Sequence, residues 1–321
     1  MKLSMIIVSW NVCEELIACL QSIRRHPPGV SYEVLVVDNH SADDTVRRLR
    51  SEFPSVRLFV NPRNLGFAAA NNIGIRHAAG EYLLLLNPVT IVFENALNRL
   101  LAFVESEKEI GLCGPKLLNA DHSLQRSVRE FPTFRSILYR YTFLQYLGIF
   151  RRHHQRCMAA KFDYTQTQSV DQVMGAAMMI PRKVFETVGL LDESFFMYYE
   201  EVDFCRRVRD AGLQVVFCPQ AEVMHLHGSS SGQVASWVQY IRIKSILVYF
   251  RKYRRPASCF WFSAALKSGL AAKTLLAIVQ SGFLLVLYRL MGNRCRVARS
   301  RRQVKSMMSF LIRYYPSLLF Q

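Results

Sequence analysis

LSMIIVS (residues 3–9), CEELIACLQSIRR (13–25) and EVLVVD (33–38) decide the fold of this chain. The first and third are short, apolar and partly β-branched, as strands buried on both faces are. Between them, Leu16, Leu20 and Ile23 fall on one face of a helix-length segment. The alternation continues outward: residues 56–60 and 81–86 read as strands, residues 43–52 and 66–79 as helices. A βαβαβαβ order predicts a parallel sheet with helices on both faces. Ligands of such sheets bind beyond the carboxyl ends of the strands. Those ends are residues 9–11, 38–43, 61–64 and 87–90, all polar, and they locate the expected site.

Composition narrows the class. The chain has 321 residues, 51% hydrophobic and 20% charged, which is enough apolar material for a core and too much for a disordered protein. Only 15 Gly and 11 Pro exclude collagen-like and low-complexity chains. The eight cysteines contain no CxxC pair and read as reduced thiols of a cytosolic protein. No secretory signal is expected, because the first apolar run covers only residues 5–10 and Asn11 ends it.

The charge is unevenly placed. Residues 1–222 hold 25 Lys/Arg against 24 Asp/Glu, a net +1, whereas residues 223–321 hold 16 Lys/Arg and no acid. We therefore divide the chain into a domain of residues 1–232 and a basic, amphipathic helical region of residues 233–321. In the second half of the first domain, residues 173–180 and 215–218 read as strands. Residues 201–211 read as a helix stopped by Gly212, and residues 126–164 as a loop-rich excursion. In the basic region, residues 274–288 lack charge and are bracketed by Lys273 and Arg289. A spanning helix needs about 20 apolar residues, so this run is expected to lie in a membrane interface with its cations on lipid phosphates. A nucleic acid would suit the charge but not the apolar runs 275–279 and 283–287, so no nucleic-acid partner is expected.

Four stretches carry chemistry. Asp38-Asn39-His40-Ser41-Ala42-Asp43 ends a strand, where a carboxylate accepts hydrogen bonds from a base or ribose; the same residue types also make turns and caps. Residues 61–74, NPRNLGFAAANNIG, place a helix start near Gly66 and Arg63 beside it, an arrangement suited to an anion. No GxGxxG or GxxxxGK[ST] exists in the chain, so neither a dinucleotide fold nor a P-loop is supported. Residues 192–203 mix five carboxylates with aromatics, which stack on sugar rings while an acid takes a proton from a hydroxyl. Last comes His225-Leu226-His227, whose alternate side chains share one side of an extended segment.

Asp38-Asn39…Ser41…Asp43, Asn64-Leu65-Gly66-Phe67…Asn71-Asn72…Gly74, Asn87-Pro88, Gly175-Ala176-Ala177, Asp192-Glu193…Phe196…Glu200-Glu201…Asp203 and His225 together resemble a family 2 glycosyltransferase of the GT-A fold. The likeness covers about residues 3–230 and leans toward the rhamnosyltransferases of bacterial O-antigen and related surface polysaccharides. It implies an α/β, GT-A-like architecture with a mainly parallel sheet flanked by helices, followed by the basic helical region. It also implies inverting transfer from a nucleotide sugar, dTDP-rhamnose by resemblance, to a polyprenyl-diphosphate-linked or other cell-envelope glycan. The enzyme would sit peripherally on the anionic cytoplasmic face of the bacterial inner membrane.

The resemblance assigns roles by position. Glu201 matches the general base, with Glu200 as its rival, because the family's usual Glu-Asp is here Glu-Glu. Asp38, Asn39, Arg63, Asn64, Asn72 and Asn87 would hold the nucleotide sugar, and Asp192 and Tyr199 the acceptor. His225 matches a position in contact with metal or diphosphate. The family normally ends its fourth strand in Asn-Pro-Asp and binds Mg²⁺ or Mn²⁺ there, but this chain reads Asn87-Pro88-Val89. Valine offers no oxygen to a hard cation. Either other groups hold the metal, or Arg63, His225 and backbone N–H groups neutralise the diphosphate, or the chain is a catalytically impaired member acting as a binding or partner subunit.

Overall fold

The structure, a computed structural model, describes residues 1–226, 235–291 and 293–319. In chain order the elements begin β1 (Leu3–Ser9), α1 (Cys13–Arg25), β2 (Tyr32–Asp38), α2 (Thr45–Glu52), β3 (Arg57–Val60), α3 (Phe67–His77) and β4 (Tyr82–Leu86). Next come β5 (Thr90–Val92), α4 (Ala96–Ser106), β6 (Ile110–Leu118), β7 (Leu124–Gln125), α5 (Phe134–Tyr141) and α6 (Arg151–Cys157). The chain continues through β8 (Gln168–Ser169), β9 (Ala177–Pro181), α7 (Arg182–Val188), α8 (Glu200–Asp210) and β10 (Gln214–His225). It closes with α9 (Ala235–Tyr253), α10 (Pro256–Leu290), α11 (Arg294–Ser309) and α12 (Tyr315–Leu319).

The chain forms two compact units, Met1–Phe131 with Lys161–Ser230, and Pro132–Ala160 with Ser231–Gln321. The first holds a ten-stranded sheet of order β3-β2-β1-β4-β9-β6-β10-β5, with β7 on β6 and β8 on β10. β3, β2, β1 and β4 run parallel, as their alternation with helices requires. The sheet beyond them is mixed: β9 inserts antiparallel between β4 and β6, and β5, β7 and β8 are antiparallel to their neighbours. The expected strand 215–218 extends to His225, which lies in register with Thr90 of β5.

Period-two alternation in β1 sends Leu3, Met5 and Ile7 into a core shared with α1, α2 and α4. Val8 faces the opposite way, into a smaller cluster with Val37 and Ala70. Ile6 shares that face, and a Cβ on Gly74 of α3 would collide with it, so the glycine sets the close approach of α3 to β1.

The second unit is helical, and it includes residues the sequence reading gave to the first domain. Residues 126–164, expected to be loop-rich, contain α5 and α6, and Pro132–Ala160 join the C-terminal helices. Phe134 of α5 stacks on Phe262 of α10 at 4.3 Å between ring centroids and tilts against Phe250 of α9 at 4.6 Å. This regrouping completes the charge segregation. The helical unit holds 21 Lys/Arg and no acid, while the sheet unit holds the other 20 with all 24 Asp/Glu.

α10 absorbs the apolar run 274–288 into one 35-residue helix, long and apolar enough to cross a membrane by length and composition alone. Cys259, Phe262, Leu266, Leu270 and Thr274 bury one of its faces. In its second half Leu276, Val279, Phe283, Val286 and Leu290 form an exposed apolar stripe, Val279 at 71% and Leu290 at 81% exposure.

Candidate active site

The strand ends are knitted together by side chains whose role is legible bond by bond. Asn11 Oδ1 accepts from the Ala42 N–H (2.7 Å), and the Asn11 N–H donates to Ser41 Oγ (3.0 Å). Asp43 accepts from the N–H of Cys13, the first residue of α1, at 3.0 Å. Asn39 Nδ2 donates to Asn64 Oδ1 (2.9 Å) and the Gly66 carbonyl (3.0 Å), and its Oδ1 accepts from Asn61 Nδ2 (3.1 Å) and the Leu65 N–H (2.9 Å). Both ends of the Asn39 amide are thus used inside the protein, holding the loop before α3.

Asp38 is fully buried, and only its Oδ2 is engaged, by the Ser41 N–H at 3.0 Å. Oδ1 has no hydrogen-bond partner among the described residues, nor has Ser9 Oγ. Ser9 and Asp38 are register partners on adjacent strands, so two unmet acceptor-capable groups stand side by side at the carboxyl end of the sheet. A buried polar atom left unmet costs about 1–3 kcal/mol, and a nucleotide hydroxyl or base N–H is the kind of group that would meet it.

The anion-binding helix start expected at Gly66 is not free. The Phe67 N–H, first in α3, donates to the Phe196 carbonyl at 2.6 Å, and Gly66 adopts φ +86° beneath the Phe196 backbone. Arg63 stands exposed at the turn before it. Asn72 Nδ2 reaches across from α3 to the Leu191 carbonyl and Glu193 Oε1, each at 2.8 Å, and its Oδ1 accepts from the Leu191 N–H at 3.1 Å. Asn64 and Asn72 therefore shape the acidic loop and the α3 entrance through contacts within the protein.

That loop delivers the carboxyl pair. The Asp192 carbonyl accepts from the Phe195 N–H at 3.2 Å and its Oδ1 from the Ser194 N–H at 3.0 Å, making a tight turn. Tyr198 and Tyr199 then occupy the left-handed region at φ 69° and 72°, a costly conformation for residues bearing a Cβ. Strain of this kind is stored where geometry is over-determined, here directly before Glu200 and Glu201 in the first turn of α8. Arg207 anchors the helix, bonding Asp203 Oδ2 (2.8 Å) and the Leu190 carbonyl (2.9 Å).

Glu200 is 5% exposed and its Oε2 has no hydrogen-bond partner among the described residues. Burial, and then the charge of Glu201, push its carboxyl well above the usual carboxylate range. Glu201 packs beside Gly175, where an added Cβ would lie 3.5 Å from its own Cβ. Gly175 precedes Ala176, whose carbonyl accepts from the Asn87 N–H at 2.8 Å, so the carboxyl pair is tied to the end of β4. One carboxyl held neutral next to another is an arrangement that separates proton donor from proton acceptor.

The β4 end is closed to a hard cation. Val89 is 7% exposed, its N–H donates to Asn87 Oδ1 at 3.1 Å, and its carbonyl accepts from the Leu226 N–H at 2.9 Å. His225 is buried with Nδ1 2.8 Å from Gln125 Oε1, and Gln125 Nε2 donates to the His225 carbonyl at 3.0 Å. Mg²⁺ and Mn²⁺ ask for several oxygen ligands. Among the described residues no three His, Cys, Asp or Glu side chains come together that could hold a metal ion. The residues present do not fit a metal of the Asn-Pro-Asp kind. His227 lies outside the described residues. Gln125 and the Phe196 carbonyl were not singled out from sequence, and Ser9 was marked only as part of a polar strand end, with no role of its own.

Known proteins resemble this chain in sequence and in fold. A hexosyltransferase of low-salt glycan biosynthesis, Agl10 of Haloferax volcanii, is 29% identical over 227 residues, covering 70% of this chain and 66% of its own length, just under two thirds. The N-acetylglucosaminyl-diphospho-decaprenol L-rhamnosyltransferase of Mycobacterium tuberculosis is 29% identical over 233 residues, covering 68% of this chain and 73% of its own. The mannosyltransferase PcManGT of Pyrobaculum calidifontis, solved with GDP-Man and Mn²⁺, superposes with a TM-score of 0.55 at 15% identity, covering 97% of this chain and 87% of its own; the shared fold is GT-A-like. The sequence model of glycosyltransferase like family 2 matches residues 2–242, three quarters of the chain, and the protein belongs to that family.

Proposed function

We propose that this protein is an inverting glycosyltransferase that moves a sugar from a nucleotide donor onto a polyprenyl-diphosphate-linked or other cell-envelope glycan acceptor. Rhamnosyltransferases among its relatives, one of them named a dTDP-rhamnosyl transferase, make dTDP-rhamnose the donor to test first. The observation that carries this reading is the pair of buried Glu200 and half-buried Glu201, tied through Gly175 and Ala176 to the polar end of β4.

Glu201 takes the proton of the acceptor hydroxyl as that oxygen attacks the anomeric carbon. The bond to the diphosphate breaks on the opposite face, and the nucleoside diphosphate leaves with the electron pair. Glu200, kept neutral by burial, leaves its neighbour as the charged base. Asp38 and Ser9 receive the nucleoside, and Asn39, Asn64 and Asn72 hold the loops around it. Arg63 and His225 offset the diphosphate charge, because the Val89 site offers no metal ligands. Asp192 and Tyr199 frame the acceptor side. The apolar stripe of α10 and the acid-free helical unit rest on an anionic membrane surface, peripherally, on the cytoplasmic face.

Val89 also favours a second reading, in which the chain is a catalytically impaired member that binds donor or partner. One experiment separates the two: transfer of labelled rhamnose from dTDP-rhamnose into membrane polyprenyl lipid by the native chain and by Val89→Asp, each with Mn²⁺ or chelator. Native transfer supports the enzyme. A silent native chain beside an active Val89→Asp variant supports the impaired subunit.

A further inference from the structure

Where α10 meets α11, the helical unit forms an open, solvent-facing cavity of about 900 Å³. Arg289, Arg294, Arg301, Arg302 and Lys305 line it, together with the Tyr288 ring. Positions 294, 301, 302 and 305 recur at helical spacing and turn one face of α11 toward the cavity. No carboxylate lines it, and the unit that contains it has none to lend. Soluble surfaces ordinarily intersperse the two signs, so five cations converging without a counter-charge leave a strong unmet field for a polyanion. Four of the five are guanidinium groups, whose planar forks match pairs of phosphate oxygens.

A single phosphate would leave most of those cations unmatched, and the cavity is far larger than one phosphate requires. The apolar stripe adds the second observation. Val286, Leu287 and Leu290 are exposed and interleave in sequence with the lining residues Tyr288 and Arg289. Arg289 thus puts one of the five cations on the same helix as the exposed apolar stripe, and α11 supplies the other four.

We propose that this cavity binds a lipid-borne diphosphate, its hydrocarbon lying along Val279, Phe283, Val286 and Leu290. The proposal rests on the reading of a lipid-linked acceptor and gives that acceptor's diphosphate a place in the chain. It differs from general attraction to an anionic surface, because it depends on where the cations are and not on how many there are.

The test is flotation of the full-length protein with phosphatidylcholine vesicles that contain either undecaprenyl diphosphate or phosphatidylglycerol, matched for surface charge. The native protein is expected to bind the diphosphate vesicles at least tenfold more tightly. Arg301→Gln/Arg302→Gln is expected to erase that preference, while Arg151→Gln/Arg152→Gln, an equal loss of charge on α6, retains it. All four arginines are exposed, and an unchanged melting temperature confirms that each variant is folded. Equal binding to both vesicles, or equal loss in both variants, overturns the proposal. Binding of free inorganic pyrophosphate as tight as that of the vesicle diphosphate overturns its lipid part. No sugar donor is present, so a protein silent in transfer that still prefers the diphosphate vesicle retires the transfer reading and leaves this one standing.

Discussion

The carbonyl of Phe196 caps α3 by accepting from the N–H of Phe67 at 2.6 Å, across 129 residues of chain. The acidic loop is thereby fastened to α3, and Gly66 is the residue that lets the two backbones approach. Gly66→Ala would bring a Cβ into the Phe196 carbonyl at a φ of +86°. That backbone conformation, open essentially only to glycine, costs about 1–3 kcal/mol for a residue with a Cβ. A fall in Tm of at least about 2 °C is expected, since each kcal/mol shifts a unit of this size by about 2–4 °C. An unchanged melting curve would show that the cap does not hold the loop.

Glu201→Gln removes the proposed base while keeping size and hydrogen bonding. Turnover should drop by about 10²–10⁴, the usual worth of a positioned general base, with donor affinity retained in a nucleotide-binding titration. If Glu200→Gln produces the larger loss in turnover, the base is its neighbour.

Glu200 also makes a stability prediction whose sign follows from its raised carboxyl. A carboxyl that holds its proton more tightly when folded stabilises the protein below the unfolded carboxylate range, near pH 4.3, and that contribution is lost as pH rises toward the folded value. Glu200→Gln should therefore melt higher than the native protein at neutral pH, with the difference shrinking as pH falls toward 4. Melting curves between pH 4 and 8 check it; a constant difference would mean that Glu200 does not titrate differently in the two states.

Native transfer should be unaffected by chelator, because Val89 and its surroundings supply no oxygen cage for a divalent ion. Inhibition by EDTA that Mn²⁺ reverses would place a metal at groups other than these.

Val279→Glu/Phe283→Glu should shift the protein from the membrane pellet to the supernatant. Each apolar side chain taken out of lipid forfeits on the order of 1.5 kcal/mol or more, so a loss of at least tenfold in vesicle partition is expected. Continued sedimentation would assign attachment to another surface.

The N-terminal half was legible because β1 and β4 are largely buried on both faces and α1 is amphipathic, so period and segment length announce themselves; α1 spans the residues its sequence pattern suggests. The place of β9 was not. Leu86 pairs with Ala177 across most of the sheet unit, and no local signal tells an antiparallel insertion from a parallel continuation. The helices of residues 134–157 were hidden by aromatic and Arg residues on every side of a short segment. Asp38, Glu200 and Glu201 could be singled out as chemistry because their side chains are conspicuous among apolar neighbours. The Phe196 cap could not, since a backbone carbonyl leaves no trace in residue type.

The acid-free helical unit has a consequence for handling the protein. Twenty-one cations in a unit that contains no acidic side chain repel one another, and at 0.1 M ionic strength that repulsion is screened beyond about 10 Å. Salt is therefore expected to act on this unit in two opposed senses, tightening its fold while loosening the proposed hold on lipid. A buffer chosen to extract the protein from membranes would also be the one in which it keeps best, and desalting a purified sample would undo both at once.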